Sequence, residues 1–87
     1  MRYDSSKTFA ISYWDEKRDD IIQVHTDSLA RAVIALITRS RKMPDKNIEL
    51  LYGNDLMGEY KDGAYLWQHH LKDDQWQGYI DSKLMVL

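Results

Sequence analysis

The hydrophobic period of this 87-residue chain changes at Thr26-Asp27-Ser28, and that change restricts the fold more than any other feature. Upstream, Thr8-Phe9-Ala10-Ile11-Ser12-Tyr13-Trp14 alternates at period two, with Phe9, Ile11 and Tyr13 on one face, as a strand does. The charged run Asp15 to Asp20 reads as a hairpin loop, and Ile21-Ile22-Gln23-Val24-His25 as the returning strand, with Ile22 and Val24 inward. Downstream, Leu29, Val33, Leu36, Ile37 and Ser40 recur at spacings of three and four, the pattern of a helix with one apolar face. Thr26, Asp27 and Ser28 each have a side chain able to cap that helix. Pro44 stops it, because proline disfavours a helical conformation in the residue before it.

After the helix, strand signals return. Asn47 to Tyr52 reads as a third strand, closed by Gly53-Asn54-Asp55. Asp62-Gly63, the clearest turn, separates Met57-Gly58-Glu59-Tyr60 from Ala64-Tyr65-Leu66-Trp67-Gln68 and predicts a tight type I′ hairpin. Lys72 to Gln75 reads as a further turn before Trp76-Gln77-Gly78-Tyr79-Ile80, and Leu84 to Leu87 as a short final strand. The expected fold is α+β: one helix packed on an antiparallel sheet, in the order β-β-α-β-β-β with an optional last strand. Residues 1–87 are enough for one domain and too few for two.

Several function classes lack their sequence patterns. Without cysteine, neither a disulfide framework nor a thiolate metal site is available, which suits a reducing cytosol. The N-terminus has no apolar signal core. The longest apolar stretch, Ala32 to Ile37, is far below the roughly 20 residues of a membrane span, so a cytoplasmic protein is expected. His69 and His70 adjoin in an expected strand and would point to opposite faces, so no metal is expected. The paired aspartates lack calcium-loop spacing, and Gly53 to Gly58 lacks the lysine and helix of a phosphate loop. No serine stands in a nucleophile elbow. The expectation is a protein that binds, with no cofactor, and that is not an enzyme.

Binding is favoured by six tyrosines and three tryptophans against one phenylalanine, since polar-tipped rings suit half-buried and interface positions. One helix covers one sheet face, so several of Tyr60, Tyr65, Trp67 and Tyr79 are expected on the uncovered face. The net charge of −2 divides unevenly: Arg31, Arg39, Arg41 and Lys42 give Ser28 to Lys42 a charge of +4, leaving −6 elsewhere. Acidic turns beside tyrosines would engage a basic protein surface. Alternatively, the basic helix face would touch phosphates while aromatics stack on bases. The overall negative charge ranks direct nucleic-acid binding lower.

Leu51-Tyr52, the run Gln68-His69-His70-Leu71, Gly78-Tyr79 and the terminal Leu84-Met85-Val86-Leu87 resemble the small phage-encoded anti-CRISPR proteins, in particular inhibitors of type I-E systems. An alanine-rich helix behind a strand and a Thr-Asp-Ser cap also fits. The resemblance spans roughly the last two thirds of the chain; the Asp15 to Asp20 loop and the basic helix end depart from it. It implies a stoichiometric inhibitor, acting in the host cytosol, that binds a bacterial CRISPR effector complex through carboxylates set against a basic channel. The candidate contacts are Asp15, Glu16, Asp19, Asp20, Asp73 and Asp74, with Trp14 and Trp76 as anchors. A toxin-neutralising or immunity protein would use the same physics. Both a monomer and a homodimer joined at an edge strand fit the sequence.

Overall fold

A computed structural model describes residues 8–68 and 71–86. The element order is β1 (Phe9–Asp15), β2 (Asp20–Thr26), α1 (Leu29–Lys42), β3 (Ile48–Tyr52), β4 (Asp55–Lys61), β5 (Ala64–Trp67) and α2 (Asp74–Val86). The strands form one antiparallel sheet in the order β2-β1-β3-β4-β5. The chain leaves the β1–β2 hairpin, crosses the sheet as α1, and returns beside β1, which places β1 in the interior. The adjacent histidines His69 and His70 lie outside the described residues. No described helix is long and apolar enough to cross a membrane.

Local chemistry accounts for the boundaries of α1. The Ser28 hydroxyl accepts the Arg31 amide at 3.4 Å, and the Met43 amide closes the last turn on the Arg39 carbonyl at 2.9 Å. Arg39, Arg41 and Lys42 fill the final turn, where the helix dipole favours cations. Leu29, Ala32, Val33, Leu36, Ile37 and Ser40 are buried on one stripe. They meet Phe9 and Ile11 of β1 and Ile48 and Leu50 of β3, the alternating residues of adjacent inner strands.

At the hairpins, Asp62 and Gly63 both have positive φ, 53° and 81°, as the expected β4–β5 turn requires. Asp19 takes φ 51° in the β1–β2 turn, where the Asp15 carboxylate accepts the Lys17 amide at 3.0 Å. Aspartate tolerates this conformation because its short side chain bonds locally. A bulge between β3 and β4 pairs Leu50 with Gly58 and Leu51 with Leu56, leaving Met57 as the extra residue, buried in the core.

The C-terminal segment corrects the sequence reading. Trp76 to Ile80, expected to follow a turn, and Leu84 to Val86, expected in a short final strand, belong to the helix α2; Leu87 is outside the described residues. Asp73 begins this helix. Its carboxylate accepts the Gln75 amide at 2.9 Å and its carbonyl the Gln77 amide at 2.8 Å. What reads as a turn is therefore a cap. Trp76, Tyr79, Ile80 and Leu84 recur at helical spacing and pack on the core. The exposed, helix-weakening Gly78 and the short apolar run hide that period in the sequence. The Tyr79 hydroxyl donates to the Ala30 carbonyl at 3.3 Å, and Arg41 donates to the Leu84 carbonyl, which ties α2 to α1.

A second correction concerns the aromatic rings. Tyr60, Tyr65 and Trp67 lie on the covered side of the sheet, because the register pairs Tyr60 with both Ile48 and Tyr65, and Gly58 with both Leu50 and Trp67. Tyr79 packs there too, on α2. The tyrosine hydroxyls bond within the fold. The Tyr60 hydroxyl donates to the Pro44 carbonyl at 3.0 Å, that of Tyr65 bonds Ser40, and that of Tyr13 accepts from Arg39 at 3.1 Å. The preference for tyrosine over phenylalanine thus serves helix docking at these positions, since a buried ring with a bonded hydroxyl joins packing to orientation. Val24, expected inward, sits on the covered side but at the sheet margin, and remains 37% exposed.

Candidate functional site

Both helices pack on one face, and no described element covers the other. Strand alternation assigns Ala10, Ser12 and Trp14 of β1, Ile21 and Gln23 of β2, Glu49 and Leu51 of β3, Glu59 and Lys61 of β4, and Leu66 of β5 to this open face. Ser12 and Ala10 are nonetheless buried, because small residues on an inner strand are walled in by larger neighbours. The result is a groove of about 410 Å³ whose lining includes Ser12, Trp14, Ile21, Glu49, Glu59 and Lys61.

Three properties set this groove apart from ordinary solvated sheet. Trp14 and Ile21 are cross-strand partners, yet they are 47% and 56% exposed. Glu49 and Glu59 stand directly opposite each other, a like-charge pairing that disfavours the sheet, and neither has an ion-pair partner among the described residues. Ser12, 9% exposed, brings to the floor a hydroxyl with no hydrogen-bond partner among them. An aromatic wall, two carboxylates that share the groove with Lys61 but form no ion pair among the described residues, and an unpaired hydroxyl suit a cationic group carried on an apolar stem.

The residues singled out from sequence divide into separate places. Trp14 lines the groove. Asp15 pairs with Asp20 across the same hairpin, but alternation directs Asp15 away from Trp14. The Asp15 carboxylate lies 4.0 Å from the Arg18 guanidinium, and Asp20 accepts the Ile21 amide at 2.7 Å. Glu16 is held at 2.8 Å by Lys46, which also donates to the Trp14 carbonyl at 3.0 Å. Asp19 occupies the turn and is exposed. The hairpin carries cations of its own, and Lys61 lines the groove beside Glu59, yet neither Glu49 nor Glu59 makes an ion pair among the described residues.

Asp73, Asp74 and Trp76 do not join this group. The strand directions place the β1–β2 turn at one end of the sheet; Trp76 borders Ala30 at the start of α1, by the other end. Asp73 and Asp74 begin α2, where carboxylates complement the helix dipole. Trp76 packs edge-on against Tyr79 at 5.8 Å. On the basic helix face, Arg39 and Arg41 make contacts within the fold, while Arg31, Arg41 and Lys42 are all exposed.

Sequence reading passed over Glu49 and Glu59. The signal for Glu49 was its position between inward Ile48 and Leu50, which sends it to the far face. Nothing local placed Glu59 opposite it. Among the described residues no group of three His, Asp or Glu is disposed to hold a metal.

No family model, curated protein or solved structure matches this chain.

Proposed function

We propose that this protein acts by binding, receiving a basic protein surface on the open face of its sheet. The observation that carries the reading is the Glu49–Glu59 pair, which makes no ion pair among the described residues, not even with the nearby Lys61, in a groove walled by exposed Trp14. A lysine or arginine entering the groove relieves the carboxylate repulsion and lays its stem along Trp14, so association gains what the free sheet lacks. Asp15, Glu16, Asp19 and Asp20 form an acidic rim at one end of the groove. They steer a positive partner from a distance more than they anchor it.

The resemblance to type I-E anti-CRISPR proteins makes the host effector complex the first partner to test, with inhibition arising from occupation of a nucleic-acid channel. The experiment immobilises the effector complex, and in parallel a basic toxin nuclease, and measures binding of the protein and two variants. Replacing Glu49 and Glu59 together by lysine should abolish capture by the true partner. Replacing Asp19 by asparagine and Asp20 by lysine should chiefly slow association. Undiminished binding by the Glu49/Glu59 variant removes the open face from the interface. Capture by the toxin nuclease alone moves the protein to the immunity class.

A further inference from the structure

The outer margin of the sheet beside β2 carries a second surface. Native sheets blunt a free edge with lysine, proline, a bulge or a very short strand. β2 carries one charge, Asp20 at its turn end, and otherwise none of these. It is seven residues long, contains no lysine, arginine, proline or glycine, and pairs with β1 without interruption from Asp20 to Thr26. It is also apolar on both faces, with Ile21 56% and Val24 37% exposed. The other margin, β5, has only four residues, and its Tyr65 and Trp67 are packed against the core. No described strand lies outside β2.

We propose that β2 pairs with β2 of a second copy of this chain, antiparallel and centred on Gln23, joining the two sheets into one. The occupant follows from the sequence of the strand itself. About a dyad at Gln23, Ile22 meets Val24 of the other copy on the covered face, and Ile21 meets its His25 on the open face. Asp20 falls opposite Thr26, so no like charges face each other within the paired strands. A parallel arrangement in the same register would set Asp20 against Asp20, which is unfavourable. The antiparallel pairing uses all seven residues and covers both exposed apolar side chains. The dimer does not depend on the groove having a partner, although it would set two grooves on one continuous face.

The absence of cysteine allows a direct test in the full chain. At the dyad, opposed Cα atoms of an antiparallel pair lie about 4.5–5.5 Å apart, within the roughly 4.4–6.8 Å that a disulfide spans. Gln23→Cys should therefore cross-link into a covalent dimer under mild oxidation. Ile21→Cys should not, because the two copies of residue 21 would stand four residues out of register, about 13 Å along the strand. Sedimentation of the unmodified protein should show a mass rising with concentration toward twice that of the monomer. Val24→Lys should weaken that association by roughly tenfold or more while leaving the circular dichroism spectrum unchanged. A monomer at every concentration, or equal cross-linking of Gln23→Cys and Ile21→Cys, overturns the proposal.

Discussion

Glu49 and Glu59 face each other across β3 and β4 on the open side of the sheet, with no cation paired to either among the described residues. Such a pair lowers the stability of the free protein. Glu59→Gln should raise it by about 0.2–1 kcal/mol, measured as a shift in the urea midpoint without a change in slope. The same substitution should weaken binding of a basic partner. Loss of stability would mean that the carboxylate serves the fold.

Trp14 is half exposed, so Trp14→Ala should cost less in unfolding free energy than a core truncation would. Its expected cost in partner binding is larger, on the order of 2 kcal/mol or more, as for aromatic anchors at interface centres. Titration calorimetry beside urea melts separates the two. A variant that unfolds readily yet binds normally would contradict the role assigned to Trp14.

Gly58 lies beneath the Trp67 ring. A Cβ there would stand 2.6 Å from Cε3 of Trp67, so Gly58→Ala must displace the indole. Overpacking of this kind costs about 1–3 kcal/mol. Thermal unfolding should show a clear fall in Tm, and an unchanged Tm would place Trp67 elsewhere.

Gly78 is the opposite case, exposed in the interior of α2 with open space around its Cα. Gly78→Ala should stabilise the protein by about 0.5–1 kcal/mol, because glycine loses the most backbone entropy in a helix. Destabilisation would argue against a helical segment here.

Tyr60→Phe removes the donor to the Pro44 carbonyl and keeps the ring. The expected loss is about 0.5–1.5 kcal/mol, seen in chemical denaturation. No loss would detach this hydroxyl from the anchoring of the α1–β3 connection.

How far the fold was legible follows the range of the interactions. The helix α1 was readable because its period, its Ser28 cap and its basic last turn lie within one segment. The Asp62-Gly63 turn was readable because two adjacent residues determine its backbone. α2 was misread because Asp73 serves a turn and a cap with the same chemistry. Its apolar residues also gain burial only where α1 and the sheet receive them.

For the site, sequence alone singled out Trp14 beside acidic residues, and the fold leaves its ring half exposed. Sequence also supplied the uneven charge and the absence of cysteine. Tertiary structure decided which carboxylates share a surface with Trp14. Asp15 turns away, Asp73 and Asp74 begin a helix, and Glu49 and Glu59 come together through a pairing register that no local pattern encodes. It also decided that Tyr60, Tyr65, Trp67 and Tyr79 help to hold the fold. Which face a strand residue takes is legible from alternation. Which residue stands opposite it depends on strand order and on the Met57 bulge, and those are properties of the assembled sheet.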